Sequence, residues 1–450
     1  MPAETIQKVQ SFLQLGDELF KQGRFAEAAE EYKRATELDP SNAPGHNYWG
    51  MALAYQGKPG EAVEQYRRAT EIDPNHAQAF HGWGHALANQ QKYGEAIEKY
   101  RQAAELDPAN AAIHINWGAA FANQGKPDEA IEQYRRAAEL DPRHAQAFHG
   151  WGFVLASQKR YDEAIEKYRQ AAELEPTDAE IHKSWAVALV SQGKPAEAIE
   201  QYRRVTELDS MYAFAYHGWG LILASQGKYD EAIEKYRQAA ELDPANAEIH
   251  KNWGVTLVSQ GKPAEAIEHY RRTTEIDSKY ALAYHGWGLA LASQLKYDEA
   301  IKKYRRAAKL DPTNAEIHIN WGVTLTEQGK PDEAVEQYRR ATEIDPKHAQ
   351  AFHGWGLALV NQQKYGEAIE KYRQAEELAP ADANIHINWG AALVNQGKPA
   401  EAIEQYRRAK ELDPKSAQAH HGWGVALANQ QKYGEAIEQY RQAEELAPAD

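Results

Sequence analysis

The 450-residue sequence contains no cysteine. That excludes a disulfide framework, a thiol nucleophile and a cysteine-ligated zinc, and it fits a reducing, cytoplasmic compartment. Long apolar runs are missing too. Nothing approaches the roughly 20 residues needed to span a bilayer, so no membrane insertion is expected. The opening Met1-Pro2-Ala3-Glu4-Thr5 has neither the basic nor the apolar stretch of a secretory signal. Positive charge is in deficit: 51 Lys and Arg face 66 Asp and Glu, for a formal net charge of −15. This is the wrong sign for a phosphate-binding surface, and nucleic acid is not an expected partner. Linkers between domains are not visible either.

What the sequence has instead is a period. Its 12 tryptophans fall 34 residues apart, from Trp49 to Trp423. One step before Trp49 lies Leu15, in a recognisable unit with leucine in place of tryptophan. The predicted organisation is an N-terminal leader, 1–8, followed by thirteen tandem units: 9–42, 43–76, 77–110, 111–144, 145–178, 179–212, 213–246, 247–280, 281–314, 315–348, 349–382, 383–416 and 417–450. Units also alternate in type. Pro59, Pro127, Pro195, Pro263, Pro331 and Pro399 share a column with Tyr93, Tyr161, Tyr229, Tyr297, Tyr365 and Tyr433, which makes the duplicated element a 68-residue pair.

Each unit predicts two antiparallel helices. In 111–144, Ile113, Trp117, Ala120 and Phe121 lie on one helical face. Gly125 offers a positive φ to end that helix, and Pro127 suits a first turn. Ala130, Ile131, Tyr134, Ala137 and Leu140 form the apolar face of a second helix, stopped at Asp141-Pro142. A lone hairpin cannot close a core, so stacked neighbours must supply it, with the tryptophan column expected to plug the joints. Ser210 and Ser278 replace the stopping proline, and 205–216 and 273–284 are candidate hinges.

The 34-residue period, Gly118, Ala130, Tyr134, Ala137 and Pro142, with their equivalents over residues 9–450, resemble the tetratricopeptide repeat (TPR) family. One departure recurs: the column of Trp117 more often holds Leu in that family, and its usual Trp column here holds His114 or Phe148. The resemblance implies an all-α, right-handed superhelical solenoid whose first helices line a concave groove for a partner protein or extended peptide. It places Asn116, Ser184, Asn252, Asn320 and Asn388 on the groove wall, where asparagines of some members clamp a peptide main chain. A carboxamide suits this because it both donates and accepts hydrogen bonds. Gly82, Gly150, Gly218, Gly286, Gly354 and Gly422 occupy the alternate rungs, either opening room for a ligand or allowing close packing beside the tryptophan. Phe153, Val187, Leu221, Val255, Leu289, Val323 and Leu357 form an apolar column one turn on, which the same register turns toward the groove. It replaces an asparagine of the clamp that binds chaperone tails, so that specificity is not expected.

The 18 histidines recur mainly in two columns, one containing His114, His182, His250, His318 and His386, the other His81, His149, His217, His285, His353 and His421. Neighbouring helices lie about 8–10 Å apart, so these ladders do not converge on a metal, and none is expected. Protonating all 18 would take the formal charge from −15 to +3, which raises the separate expectation of a pH response. Carboxylates repeat as Glu-Ala-Ile-Glu, a solvated face and not a catalytic pair, and no cofactor fingerprint is present. The sequence ends at a unit boundary without a polar cap, which raises head-to-tail self-association. The leading expectation is a non-enzymatic interaction scaffold; the alternative is a targeting or substrate-selecting arm of a larger enzyme such as a glycosyltransferase. RNA binding by pentatricopeptide-like repeats is disfavoured by the acidic charge and by the period.

Overall fold

Two helices form in each period because the local signals agree. In the fourth unit the Asn110 side chain accepts a hydrogen bond from the Ala112 amide and opens the helix Ala111–Asn123. Gly125, at φ 80°, reverses the chain, and Pro127 begins the helix Pro127–Leu140. Asp141 then accepts from the Arg143 amide at 3.0 Å in the turn to the next unit. The computed structural model describes residues 2–447. Among them every regular element is an α-helix, 26 in all, numbered α1 to α26 in chain order. Odd-numbered helices are the first of each hairpin and even-numbered helices the second. The expected all-α tandem of helical hairpins is the observed fold.

α1 runs Ala3–Lys21 without interruption, across the boundary expected between residues 8 and 9. Met1, and Pro448 to Asp450 at the end of the last unit, lie outside the described residues. The chain divides into two compact units, Met1–Ile222 and Leu223–Asp450, with the boundary inside α13 (Ala213–Ser225).

Within each unit the packing has one theme. α8 (Pro127–Leu140) lies against its own first helix, α7 (Ala111–Asn123), and against the next, α9 (Ala145–Ser157). First helices also touch one another, as α7 touches α5 (Ala77–Asn89) and α9. Tyr134 fills the space this leaves and is only 5% exposed. Its equivalents from Tyr32 to Tyr406 are all buried, and Tyr100, Tyr168, Tyr304 and Tyr372 are among the largest fully buried side chains. Truncating one to alanine removes packing worth about 3–5 kcal/mol.

This corrects the expected role of tryptophan. All twelve indoles are half-buried, and none is a sealed plug. In several units the ring three residues earlier covers one face: His114 stacks on Trp117 with centroids 5.9 Å apart, and Phe80 on Trp83 at 6.4 Å. Tyrosine is the plug because it projects from the second helix into the gap between two first helices; tryptophan, on a first helix, reaches only the rim.

The serine turns do not differ in backbone from the proline turns. Tyr212 N–H donates to the Asp209 carbonyl at 3.2 Å, as His144 N–H does to that of Asp141 at the same distance. The hydroxyls of Tyr212 and Tyr280 donate to Glu180 and Glu248, tying each turn to its own first helix.

The hairpin turns are uneven. Gly57, Gly125, Gly193, Gly261, Gly329 and Gly397 take the left-handed conformation without penalty, but Gln91, Lys159, Leu295, Gln363 and Gln431 adopt it with a side chain. Leu295 is also 71% exposed, so its side chain returns little. Leu295→Gly should raise the local opening free energy by about 0.5–1 kcal/mol, with relief of strain outweighing the extra chain entropy. Slower amide exchange in α17 (Ala281–Ala292) and α18 (Tyr297–Leu310) is the expected result; faster exchange would show that the turn is unstrained.

Candidate functional site

The asparagine column is built from two hairpins at a time. Asn116 Nδ2 donates to His81 Nε2 at 2.8 Å, Asn320 to His285 at 3.0 Å and Asn388 to His353 at 2.8 Å. In the rung where serine replaces asparagine, Ser184 Oγ lies 3.0 Å from His149 Nε2. Each pair joins one first helix to the next. A carboxamide nitrogen can only donate, so the imidazole Nε2 accepts and the ring carries its proton on Nδ1. The bond also orients the carboxamide, because one Nδ2 hydrogen is used while Oδ1 of Asn116, Asn320 and Asn388 keeps its acceptor capacity. Each ring is steadied by the plug tyrosine of its own hairpin; His81 and Tyr100 have centroids 5.8 Å apart, and His353 and Tyr372 likewise.

Burial depresses the basicity of these histidines. His81 falls to about 4, chiefly through burial and then through the nearby charge of His85. His149, His285 and His353 are also held below the usual imidazole value by burial. The predicted pH response of this column therefore lies lower than an ordinary imidazole would place it.

The other histidine column works inside the hairpin. His114 Nδ1 meets Gln133 Oε1 at 2.8 Å, and His182, His318 and His386 meet Gln201, Gln337 and Gln405 at 2.8, 2.9 and 2.8 Å. Where histidine gives way to phenylalanine, lysine replaces the glutamine and covers the indole: Lys99 Nζ is 4.1 Å from the Trp83 ring centre, and Lys371 Nζ is 4.1 Å from that of Trp355. These residues hold the hairpin together. Among the described residues no three His, Asp or Glu side chains converge to hold a metal ion.

The alternate glycines are explained by packing. A Cβ on Gly150 would sit 2.4 Å from the Tyr134 ring, and on Gly82 2.6 Å from Tyr66. Glycine therefore admits the plug tyrosine of the preceding hairpin, and Gly82 and Gly422 also line cavities on the first-helix face.

The apolar column is exposed throughout. Phe153 is 62% exposed, and Val187, Leu221, Val255, Leu289, Val323 and Leu357 are exposed as well. Three cavities open on the first-helix face. One of about 630 Å³ is lined by His81 and Asn116, beside Tyr48 and Met51. A second, of about 510 Å³, brings together His149, Ser184, Phe153 and Val187. The third, of about 750 Å³, contains Asn388, His421 and Val425. Of the predicted residues, Asn116, Ser184 with Phe153 and Val187, and Asn388 thus line three separate cavities, and Asn252, Asn320, Leu221, Val255, Leu289, Val323 and Leu357 line none of the three. Sequence reasoning found both columns but missed their pairing. The signal was a spacing of 35: each Asn or Ser rung stands 35 residues after a histidine, as Asn116 does after His81.

The solved geometry yields two predictions. Gly150→Ala should destabilise the fold by about 1–3 kcal/mol through overpacking against Tyr134, read as a lower unfolding midpoint. Retained stability with loss of binding alone would return the glycine to a ligand role. Because folded His81 titrates near 4 against an ordinary 6.5, the unfolded chain binds more protons between those values. Stability is therefore full above about pH 6.5 and falls as pH drops toward 4. Replacing His81, His149, His285 and His353 by glutamine should make that fall shallower in thermal unfolding from pH 7.5 to about 4.5; parallel curves would reject it.

Family models agree along nearly the whole chain. One described as "Tetratricopeptide repeat" matches residues 13–77, 115–179, 319–383, 353–417 and 387–450, and a second of that description matches 155–217. A third, "TPR repeat", matches 84–125, 220–261 and 288–329. No curated protein matches. Among solved structures, YrrB, titled a TPR protein with an unusual peptide-binding site, is 28% identical over 42% of this chain and 97% of its own, with a TM-score of 0.37. The Cut9–Hcn1 hetero-tetramer of the APC/C is 15% identical, covering 98% of this chain and 94% of that one, with a TM-score of 0.46. Yeast Tom70 is 17% identical, covering 97% and 96%, with a TM-score of 0.40.

Proposed function

The chain belongs to the tetratricopeptide repeat family, and from that premise we propose that it is a non-enzymatic scaffold holding an extended segment of a partner protein along its first helices. The observation that carries this reading is the rung. His81 with Asn116, His285 with Asn320 and His353 with Asn388 each combine a neutral imidazole bearing a proton on Nδ1 with a carboxamide whose oxygen is unspent. A peptide main chain offers one donor and one acceptor per residue, and such a rung has one of each to return. The hydrogen bond between the two side chains sets the carboxamide before a guest arrives, which lowers the ordering cost of binding.

Between rungs, Phe153, Val187, Leu289, Val323 and Leu357 supply apolar contact to alternate side chains of the guest. Affinity is then a sum of modest contacts, and selectivity comes from which apolar position meets which side chain. No helix among the described residues is long and apolar enough to cross a membrane. The absence of cysteine supports a cytoplasmic setting for the scaffold.

The test is selection of extended peptides from a displayed library on the intact chain, followed by titration of the best binder. Asn116→Ala, Asn320→Ala and Asn388→Ala should each weaken it by about fivefold, the worth of one net hydrogen bond, with graded loss as they are combined. Unchanged affinity in the triple variant, with its helicity intact, would overturn the rung as the binding element.

A further inference from the structure

The second helices carry an ion-pair ladder on their wet face. In α10 (Tyr161–Leu174) Arg169 lies 2.7 Å from Glu166 and 2.8 Å from Glu173. The sequence has glutamate at both of those positions in every second helix except α18, where Lys302 and Lys309 stand instead. α18 differs from α10 and from α14 (Tyr229–Leu242) at three positions only, with Lys302, Arg306 and Lys309 replacing Glu, Gln and Glu. All three changes add positive charge, in a chain whose net charge is −15.

The result is a basic strip whose one acidic neighbour on its own helix is Asp298, a turn before Lys302. Lys302, Arg305, Arg306 and Lys309 are exposed and fall on one helical face. No carboxylate among the described residues lies within ion-pair distance of Lys302, Arg305 or Lys309. Arg306 leans back, donating to the Ser278 carbonyl at 3.4 Å. Lys303 is spent elsewhere, 3.2 Å from the Trp287 ring centre. Beside the strip lies a cleft of about 470 Å³, lined by Arg305 and Lys309 of α18, by Trp321, and by Glu336, Arg340 and Glu343 of α20 (Pro331–Ile344), where Arg340 is paired with Glu336 at 3.1 Å. Arg305 sits over Trp321 at 5.9 Å from the ring centre.

Simple structural upkeep does not account for the three changes. Lys309 in the last turn favours the helix dipole, but Lys302, one turn and a half into the helix, gains nothing from it, and Arg305 loses both of its ladder partners. The width of the strip limits what it fits. A helix is about 10–12 Å across, and charges are screened beyond about 8–10 Å. The neighbouring second helix α16 (Pro263–Ile276) carries Glu268 and Glu275, and α20 carries Glu336 and Glu343. A bilayer or a duplex, whose negative charge extends over tens of ångströms, would meet those carboxylates. A single acidic strand along α18 meets fewer of them.

We propose that the exposed face of α18 docks a short acidic peptide segment of a protein partner, its carboxylates paired with Lys302, Arg305 and Lys309. From Lys302 to Lys309 the helix rises about 10 Å, matched by about three or four residues of extended chain. The site lies on second helices and is independent of the rungs on the first helices.

The experiment uses the full chain and a fluorescent glutamate–alanine repeat peptide, followed by anisotropy at low and physiological salt. The variant Lys302→Glu, Arg306→Gln, Lys309→Glu restores the sequence that α14 already folds with, and circular dichroism verifies its helicity. A single Arg305→Gln variant provides a milder second case. Binding by the intact protein, weakened about tenfold or more in the triple variant and by added salt, and absent for a glutamine–alanine peptide, is expected. Equal affinity of the triple variant, no binding by the intact protein, or tighter binding of phosphatidylserine vesicles or duplex DNA than of the peptide would each overturn the proposal.

Discussion

The array depends on a tyrosine ring passing from one helix into the gap between two others. Tyr134 leaves α8, meets Gly118 on its own first helix and reaches Gly150 on the next, where any added Cβ would stand 2.4 Å from the ring. The same contact links Tyr66 to Gly82, Tyr338 to Gly354 and Tyr406 to Gly422. Because the ring touches two successive hairpins, each hairpin completes its core only when the next is present. That is how a chain without a globular centre obtains nearest-neighbour cohesion. The rungs stand at the alternate joints, as between α5 and α7, where Asn116 holds the place that glycine takes at the others and meets His81.

Around this wedge the units use two interchangeable ways of covering a half-buried indole. One stacks histidine on the ring and pairs it with glutamine across the hairpin; the other stacks phenylalanine and lays lysine over the ring. The two halves travel together. Residues 349–382 have Phe352 with Lys371, while the nearly identical last unit has His420 with Gln439, whose side chains meet at 2.9 Å. A lone histidine facing Lys371 would lose its acceptor, and a lone glutamine could not supply the cation. The joint change keeps the contact, which explains why two of the four differences between those units fall on this pair.

The two faces of the hairpins are chemically distinct. First helices present neutral imidazoles, carboxamides and exposed aliphatic side chains, a surface suited to a main chain and its apolar side groups. Second helices present Glu–Arg–Glu ladders that satisfy one another and attract little, except at α18, where the ladder is broken toward positive charge. A scaffold with both could engage one partner at two separated places, gaining from effective concentration without strengthening either contact.

Much of this was legible in the sequence. The period of 34, the glycine and proline punctuation and the repeated apolar spacing determined helical hairpins, because these signals are local and act within a few residues. The columns of Asn116 and of Phe153 could be placed on the first helix for the same reason. Three things were decided only in three dimensions. Tyrosine, not tryptophan, fills the joint, because burial depends on which neighbouring helix a side chain points toward. The alternate glycines serve that tyrosine, because the clash they avoid lies in another hairpin. The histidines and asparagines, read as separate columns, form one set of rungs, because a 35-residue separation becomes a 2.8 Å contact only once two hairpins have stacked.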